Sequence, residues 1–514
     1  MRVLEAMQPH PTSAPYSPQD MNYLKGPLSD DTALLVSIMS KVFEYQLRPL
    51  GWENDPEEER FKLSTLDYLT ALTYNSYALF FKLDAADKGK VVDVLRQGLE
   101  RTLSQVRHLA GTIERDPDGH HSFVKRKDSS VKLVVQHLED FPSFAEIQSA
   151  HFIGTSLGDI NLLSNSPMTY GEKPEADPDA SPVVTSYKAN FIPGGLIFNM
   201  HSHHYANDIA GWASFTRQLA DNCRAITNTT PFPPWDPACL DRSRFASPSV
   251  PVAAQVSAPP QAARHPGHKP SSCVIFHLPK SKAVALKLAA SPADGSSWIS
   301  TYDAFVALLW RVVTRLRVPL HNPDPTSTPI WAEGINMSKR LSPPLPARMQ
   351  GNSFLAVLSA MSPVPALTVE EITSPSVPLS RLASYVRTMT STGTSTYLDT
   401  VLQTVAPVGN KKDLSVRINS FPPLTFGVTD WRDADVCATA EFGFGRPVAF
   451  RHVFSGTVGE GLVIVYPPKQ GGEDEGVEVQ FAVEKELVGK LVEDEELGRW
   501  FEYRGVDVEG REGV

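Results

Sequence analysis

The sequence predicts a mixed α/β protein made of two domains. Strand-like and helix-like segments alternate in both halves of the chain, and residues 231–271, which lack hydrophobic periodicity, separate the halves. That separating stretch is rich in Pro, Ala and Ser, a composition that buries too little apolar area to fold by itself. We therefore expect an extension over residues 1–60, an N-terminal domain over 61–230, a crossover linker over 231–271 and a C-terminal domain over 272–514.

Predicted elements of the first half follow from their hydrophobic patterns. Asp31–Leu47 has the character of one helix within the extension. Tyr77–Leu83 is short and apolar on both faces, which is typical of a buried strand. Two further strands are predicted at Ser122–Lys127 and Val131–Gln136. The segment Lys88–Arg107 carries one apolar stripe at helical spacing, formed by Val91, Leu95, Leu99, Leu103 and Val106.

The second half is predicted in the same way. After the linker, Cys273–Leu278 has the apolar pattern of a buried strand. A long helix is expected to begin near Ser300–Asp303, because these side chains suit a capped first turn. Its apolar stripe consists of Val306, Leu309, Trp310, Val313 and Leu316. The remainder alternates short strands with helical pieces, so this half is also α/β.

Composition narrows the functional classes. The 514 residues include 48 Lys and Arg against 58 Asp and Glu, a formal net charge of −10. This balance argues against nucleic acid or an anionic membrane as the main partner. Residues 1–20 contain no apolar stretch of signal-peptide length, and no run reaches the roughly 18 apolar residues of a membrane helix. The four cysteines are widely scattered. We expect a reduced, cytoplasmic monomer without a bound metal.

The most informative segment contains His203, His204 and Asp208, in a His-His-x-x-x-Asp pattern. It follows the apolar run Gly194–Phe198 and precedes a helical stripe that starts at Ile209. Imidazole is the common side chain whose unperturbed pKa lies near neutrality, so it can take a proton from a hydroxyl and return it. His204 is therefore the candidate general base, while His203 and His201 are expected to support or pack.

A second group of residues lies in the other half. Thr429-Asp430-Trp431 is followed by Glu441-Phe442-Gly443-Phe444-Gly445-Arg446-Pro447. Together with the histidine motif, this group resembles the BAHD acyltransferase family, in particular its fungal trichothecene O-acetyltransferase-like branch. That family pairs an HxxxD motif in its first domain with a DFGWG motif in its second. Here Glu441, Phe444 and Arg446 stand for the family's Asp, Trp and Lys, and each keeps the charge or the aromatic character.

Further segments resemble the family in the expected order. They are Leu63-Ser64-Thr65-Leu66-Asp67 for LSPLD, Leu109-Ala110-Gly111 for LAG, Phe191 with Gly194-Gly195, and Pro343–Pro346 followed by Gly351-Asn352. One departure concerns the family's V-D-G-R segment, where this chain has Ser338 at the position of the arginine thought to pair with the motif aspartate. Asp208 is then expected to pair with Lys339, with Arg340 or with a backbone amide.

The resemblance implies a fold and a chemistry. The fold would be two similar domains like chloramphenicol acetyltransferase, each a mixed sheet flanked by helices, with a tunnel between them for acyl-CoA and an alcohol acceptor. Acetyl-CoA would be a co-substrate, and no cofactor is expected. His204 would act as the base while Thr429 and Trp431 lie at the reacting carbonyl. Asp208, Gly443 and Gly445 would support the site structurally.

Positions for binding CoA are less well marked. The phosphates of CoA call for basic groups at the tunnel mouth, and Lys280 and Lys282 are the candidates, with a solvated surface pair as the alternative. The acceptor is expected to be a small hydroxylated secondary metabolite such as a terpenoid, an alkaloid or a polyketide.

Three other classes remain open from the sequence. A stand-alone condensation domain acting on a carrier-bound acyl group also carries His-His-x-x-x-Asp, but there Gly normally follows the Asp, whereas Ile209 follows here. A zinc site could use His201, His203, His204 and Asp208 if the strand ended among them. A catalytically silent binding module is the third, against which the intact His204, Asp208 and Thr429 argue.

Overall fold

The computed structural model describes residues 42–83, 87–166, 174–257, 264–295, 297–416, 418–454, 456 and 459–510. The strands in these ranges are β1 (Val42–Leu47), β2 (Glu58–Lys62), β3 (Tyr74–Lys82), β4 (Thr112–Arg115), β5 (His121–Arg126), β6 (Val131–His137), β7 (Thr185–Ile192), β8 (Gly195–His203), β9 (Ser271–Leu278), β10 (Trp331–Asn336), β11 (Phe354–Leu358), β12 (Phe426–Asp430), β13 (Ala449–His452), β14 (Leu462–Tyr466), β15 (Val477–Glu484) and β16 (Glu502–Glu509).

The α-helices in the same ranges are α1 (Thr65–Tyr68), α2 (Lys88–Gln105), α3 (Phe144–Ser149), α4 (Ile209–Asn228), α5 (Lys280–Ala290), α6 (Thr301–His321), α7 (Val369–Thr373), α8 (Leu379–Thr392), α9 (Ser395–Val405), α10 (Val436–Thr439), α11 (Val488–Val492) and α12 (Glu495–Gly498). The predicted mixed α/β class is therefore confirmed. No helix of the described chain combines the length and the apolar content needed to cross a bilayer.

The first large sheet has the strand order β1-β6-β7-β8-β3-β13. Strands β3 and β8 lie side by side, and their residues are buried almost throughout. One face of the sheet packs against helices α2 and α4, and the other packs against the segment from Phe144 to Leu163. Because both faces are covered, these strands have the continuous apolar pattern that predicted them. A smaller sheet with the order β2-β5-β4 completes this half.

The second large sheet has the order β11-β10-β12-β14-β15-β9-β16. Its core contains the buried Trp310 of helix α6 and Trp331 of strand β10, whose ring centroids are 5.0 Å apart. Helix α6 begins with a capping box, in which Ser300 accepts from the Asp303 N–H and Asp303 accepts from the Ser300 N–H. The predicted start of this helix is therefore confirmed.

Strand β13 joins the two halves. It belongs to the second half by sequence, yet it pairs antiparallel with β3 of the first sheet, with Ala449 opposite Phe80 and His452 opposite Tyr77. The first sheet is therefore complete only when the chain of the second half has returned to it.

One segment differs from the sequence-based expectations. The predicted helix Asp31–Leu47 is wrong for Val42–Leu47, which forms β1 and pairs antiparallel with β6; residues 31–41 lie outside the described residues. Pairing with the edge of the sheet gives the backbone N–H and C=O groups of this short segment their hydrogen-bond partners, and this stabilisation outweighs its local helix propensity. The described part of 231–271 is ordered by packing, because Cys239 and Phe245 are buried and Phe245 joins the core of the second half.

Candidate active site

The connection from β8 to α4 places the histidine motif. Strand β8 ends at His203, and His204 continues the pairing by donating its backbone N–H to the Thr73 carbonyl at 2.9 Å. The chain then turns, and helix α4 begins at Ile209 with Asp208 as its N-cap. His204 thus lies directly after a buried strand and before a helix, so the strand fixes the position of its backbone.

The imidazole of His204 is partly exposed and borders a cavity. Its Nδ1 atom is sealed from solvent, and its ring centroid is 6.3 Å from that of Phe354 on β11. Burial lowers the pKa of His204 below its ordinary 6.5, and hydrogen bonding partly offsets this. The ring is therefore neutral at physiological pH and has a lone pair with which to accept a proton.

Asp208 faces backbone amides. Its carboxylate accepts from the Gly211 N–H at 2.8 Å, which caps helix α4, and from the Ser353 N–H at 2.7 Å. The Ser353 hydroxyl adds a longer contact at 3.3 Å. Burial raises the pKa of Asp208, although the backbone donors oppose that change. Asp208 therefore ties the start of α4 to the second half of the chain.

The two basic residues considered as partners of Asp208 are engaged elsewhere. Lys339 pairs with Asp433 at 3.1 Å, and Arg340 donates to the Thr390 carbonyl at 2.7 Å. Of the three expected partners of Asp208, the structure therefore shows the backbone amide.

Thr429 and Trp431 approach from the second sheet. Thr429 lies on β12, and the indole N–H of Trp431 donates to its hydroxyl oxygen at 2.9 Å. This bond occupies one lone pair of the Thr429 oxygen, so the hydroxyl proton is directed away from the indole. Both residues border the same cavity as His204. Thr429 can therefore donate a hydrogen bond there, whereas the Trp431 N–H orients Thr429.

The cavity has a volume of about 280 Å³. Its lining is largely apolar and comes from both halves, with Leu69, Ala71, Phe354, Val416, Leu462 and Ile464 among the lining residues. The charged residues along it are all acidic: Asp208, Glu333, Asp430, Asp433 and Glu460. No Lys or Arg borders it in the described part of the chain. A ligand in this space meets apolar walls, the His204 ring and the Thr429 hydroxyl.

Sequence reasoning missed how Asn352 holds the histidine turn. The Asn352 amide donates to the carbonyls of His204 and Tyr205, both at 3.0 Å, and to the Asp67 carboxylate at 2.9 Å. Asp67 had a recognisable signal, because Ser64 and Asp67 have the spacing of a capping box, which they form. Asn352 belongs to the Gly351-Asn352 segment noted in the sequence, but its contact with His204 could not be predicted, since the two residues are 148 positions apart.

Comparison with known proteins decides the family. The model of the transferase family matches residues 53–497. Acetyltransferase FGR3 of Gibberella zeae is 50% identical over 478 residues, covering 91% of this chain and 95% of that protein. Acyltransferase easC of Emericella nidulans is 25% identical, covering 87% of this chain and 96% of that protein.

The chain belongs to the BAHD transferase family.

Solved structures agree on the fold of this BAHD member. TRI101 of F. graminearum, complexed with ethyl coenzyme A, superposes with a TM-score of 0.72 at 20% identity, covering 87% of this chain and 100% of that one. Vinorine synthase superposes with a TM-score of 0.60 at 18% identity, covering 90% and 97%. The predicted two-domain fold is confirmed, and the enzyme is an acyl-CoA-dependent acyltransferase. This class sets aside the silent binding module.

The other histidines of the BAHD motif have separate partners. His201 Nε2 accepts from the Asn165 N–H at 3.1 Å, and the Ala176 carbonyl accepts from His203 Nε2 at 2.9 Å. Burial lowers the pKa of His201 to about 3 and that of His203 to about 4. Within the described ranges, no three His, Cys, Asp or Glu side chains are grouped to hold a metal ion.

The second BAHD motif lies away from the cavity, since none of residues 441–447 borders it. Gly443 has φ +81°, and a Cβ atom there would lie 2.5 Å from the Thr227 hydroxyl oxygen on helix α4. Gly445 has φ +148°, also a conformation that favours glycine. The Phe442 and Phe444 rings pack 5.1 and 5.2 Å from Phe81 of β3. This loop therefore braces the second half against the first.

Lys280 and Lys282 lie at the start of helix α5, and neither borders the cavity. Lys280 Nζ is 3.5 Å from the Glu473 carbonyl, and Lys282 lies 3.7 Å from the Glu502 carboxylate. Lys280 thus contacts a backbone carbonyl and Lys282 a carboxylate, and both contacts lie away from the cavity.

Proposed function

We propose that this enzyme transfers the acetyl group of acetyl-CoA to a hydroxyl of a neutral, largely apolar secondary metabolite, with His204 as the general base. The observation that carries the proposal is that His204 and Thr429, from different sheets, border one largely apolar cavity. The naming of a 50% identical relative as an acetyltransferase supports acetyl as the group transferred. Terpenoids, alkaloids and polyketides with free hydroxyls are the acceptor classes.

The first step is attack on the thioester. His204 accepts the proton of the acceptor hydroxyl through Nε2, because its Nδ1 atom is sealed from solvent. The acceptor oxygen forms a bond to the thioester carbon, and the carbonyl π electrons move to the carbonyl oxygen. The lowered pKa of His204 keeps the ring unprotonated and ready for this role.

The second step is collapse of the tetrahedral intermediate. The oxyanion re-forms the carbonyl, the carbon–sulfur bond breaks, and protonated His204 returns its proton to the departing thiolate. The products are the acetyl ester and free CoA, and the histidine is neutral again. A base placed in this way contributes about 10²–10⁴ in rate.

Thr429 stabilises the oxyanion between the two steps. Its hydroxyl proton is available because the Trp431 N–H already donates to its oxygen. A donor fixed before the reaction stabilises the developing charge without the cost of reorganising water. Trp431 acts through Thr429, and Asp208 acts through the turn that bears His204.

The charge of the cavity selects the acceptor. A carboxylate or phosphate on the acceptor would find apolar walls and acidic groups, with no Lys or Arg among the described lining residues to pair with it. We propose that the phosphates of CoA bind away from these lining residues. Only the acetylated end of the donor then reaches His204.

The test is a search for the product by mass spectrometry. The purified protein is incubated with a fungal metabolite extract and, in separate reactions, with acetyl-CoA, longer acyl-CoAs and a carrier-protein thioester. We expect an acetylated hydroxyl compound and stoichiometric free CoA thiol in the acetyl-CoA reaction only. An amide product, a preference for the longer donors or turnover of the carrier thioester would contradict the proposal.

A further inference from the structure

The crossover segment between the halves carries a buried arginine beside the histidine turn. The side chain of Arg242 is 9% exposed and lies with its guanidinium carbon 5.0 Å from the Phe123 ring centroid. Its Nη2 atom donates to the Ala206 carbonyl at 3.2 Å, and its Nη1 atom lies 3.4 Å from the Asp67 carboxylate. The neutral ring of His108 accepts from Nη2 at 2.7 Å.

The backbone on the other side leaves room for this guanidinium. Gly351 has φ +112°, and a Cβ atom there would lie 2.8 Å from the Arg242 Nε atom. The Gly351 N–H donates to the Asn207 side chain at 2.6 Å, and the Gly351 carbonyl accepts from the Asp208 N–H at 3.4 Å. Arg242 therefore occupies the place of a side chain at position 351 and contacts the same turn.

Asp67 extends the contact to the base itself. One carboxylate oxygen faces Arg242, and the other accepts from the Asn352 amide at 2.9 Å. Asn352 in turn holds the carbonyls of His204 and Tyr205. The carbonyls of three consecutive turn residues thus depend on Arg242 directly or through Asp67.

We propose that Arg242 is a positioning residue for acyl transfer, which holds the turn of His204 and neutralises Asp67 beside it. The proposal rests on His204 being the base. An arginine suits this position because its guanidinium can reach a carbonyl, a carboxylate and an imidazole at once, which a lysine ammonium cannot match in geometry.

The charges around the site give the proposal a signature beyond stability. Asp67 raises the pKa of His204. His203 and His452, whose pKa values burial lowers to about 4 and about 3, also interact with His204, and Asp208 borders the same cavity. Arg242 faces Asp67 and Asp208, together with the neutral His108. Removal of the Arg242 charge leaves Asp67 unopposed and therefore raises the pKa of His204 further.

The experiment compares Arg242→Gln, Arg242→Lys and Asp67→Asn, using acetyl-CoA and the acceptor found in the extract assay. For Arg242→Gln we expect kcat to fall roughly tenfold to hundredfold, as for a misplaced catalytic group. The KM for acetyl-CoA should stay within about twofold, because Arg242 does not border the cavity. The acidic limb of the pH profile of kcat/KM should move to higher pH in Arg242→Gln, return in Arg242→Lys and move to lower pH in Asp67→Asn.

Arg244→Gln is the matched control, because Arg244 lies in the same segment and pairs with Asp399 at 2.8 Å on the surface. It should change neither kcat nor the pH limb. A folded Arg242→Gln enzyme with normal kcat and an unmoved limb would overturn the inference. If Arg242→Gln does not fold, the other two variants test the inference. A lowered kcat in Arg242→Lys and an acidic limb at lower pH in Asp67→Asn would support it, and wild-type values of both would overturn it. His204→Ala in the same series tests the base assignment separately from the positioning role of Arg242. An active His204→Ala enzyme would contradict His204 as the base, whatever the Arg242 variants show.

Discussion

The turn from His204 to Asp208 and the loop from Glu441 to Pro447 carry the two motifs that mark the family, but they differ in place and in task. The turn borders the cavity with the His204 ring, while residues around it hold its carbonyls and the Asp208 carboxylate. The loop borders no part of the cavity and packs aromatic rings on Phe81. A recognisable motif therefore indicates a demanding local structure, which can be chemical or purely architectural.

The largest expected effect is on the turn. His204→Ala should lower kcat by about 10²–10⁴ because it removes the base, with little change in melting temperature because the ring borders open space. His201→Ala is the control, since His201 is buried in β8 three residues before His204 and does not border the cavity. It should lower the melting temperature while each folded molecule keeps its turnover. A His204→Ala enzyme with more than a tenth of wild-type turnover would show that His204 is not the base, and the turn would then have no stronger claim to a chemical role than the loop.

The opposite wall should give the next largest effect. Thr429→Val keeps the shape and removes the donor, which should cost about 2.7–4 kcal/mol of transition-state stabilisation, a fall of roughly 10²–10³ in kcat. Since the bond forms mainly in the transition state, both KM values should hardly change. Thr429→Ser should retain most of the turnover. Near-normal turnover in the Val variant would make Thr429 a packing residue, and another donor would then stabilise the oxyanion.

Asp208 should show a mixed effect, because its carboxylate caps helix α4 and accepts from the Ser353 N–H, while the residue also borders the cavity. Asp208→Asn can still cap Gly211, yet its amide group would face the Ser353 N–H with a donor. An unsatisfied buried group of this kind costs about 1–3 kcal/mol, so the free energy of unfolding and kcat should both fall. Thermal unfolding and steady-state kinetics on one preparation measure the two losses. A purely kinetic defect would indicate that Asp208 orients His204 as in a catalytic triad.

The smallest effect on turnover is expected in the loop. Gly443→Ala would place a Cβ atom against Thr227, so the melting temperature should fall while each folded molecule keeps wild-type kcat within about twofold. Gly489→Ala is the control, because nothing lies within 4 Å of a Cβ atom there. Loss of turnover in folded Gly443→Ala enzyme would show that the loop also shapes the cavity.

The sequence predicted elements whose structure depends on their own residues. Helix α2 and the capped start of α6 follow from an apolar stripe and a Ser-x-x-Asp pattern, both of which are local. Strand β1 could not be predicted, because pairing with β6 decides its structure. The roles of Arg242 and Asn352 were equally hidden, since their partners lie far away in the chain. The candidate chemistry at His204 was visible only because a motif marks it.

The return of β13 to β3 has a consequence for the nascent chain. Until Ala449–His452 has left the ribosome, β3 is an open edge whose residues are nearly all apolar or buried in the finished protein. At about 5–20 residues per second, the interval between the synthesis of β3 and of β13 is roughly 20–70 s. An apolar edge exposed for that long is a template for wrong pairing with other chains. Expression of the first half alone should therefore yield aggregates, and recovery of the full-length enzyme should depend on chaperones that shield β3.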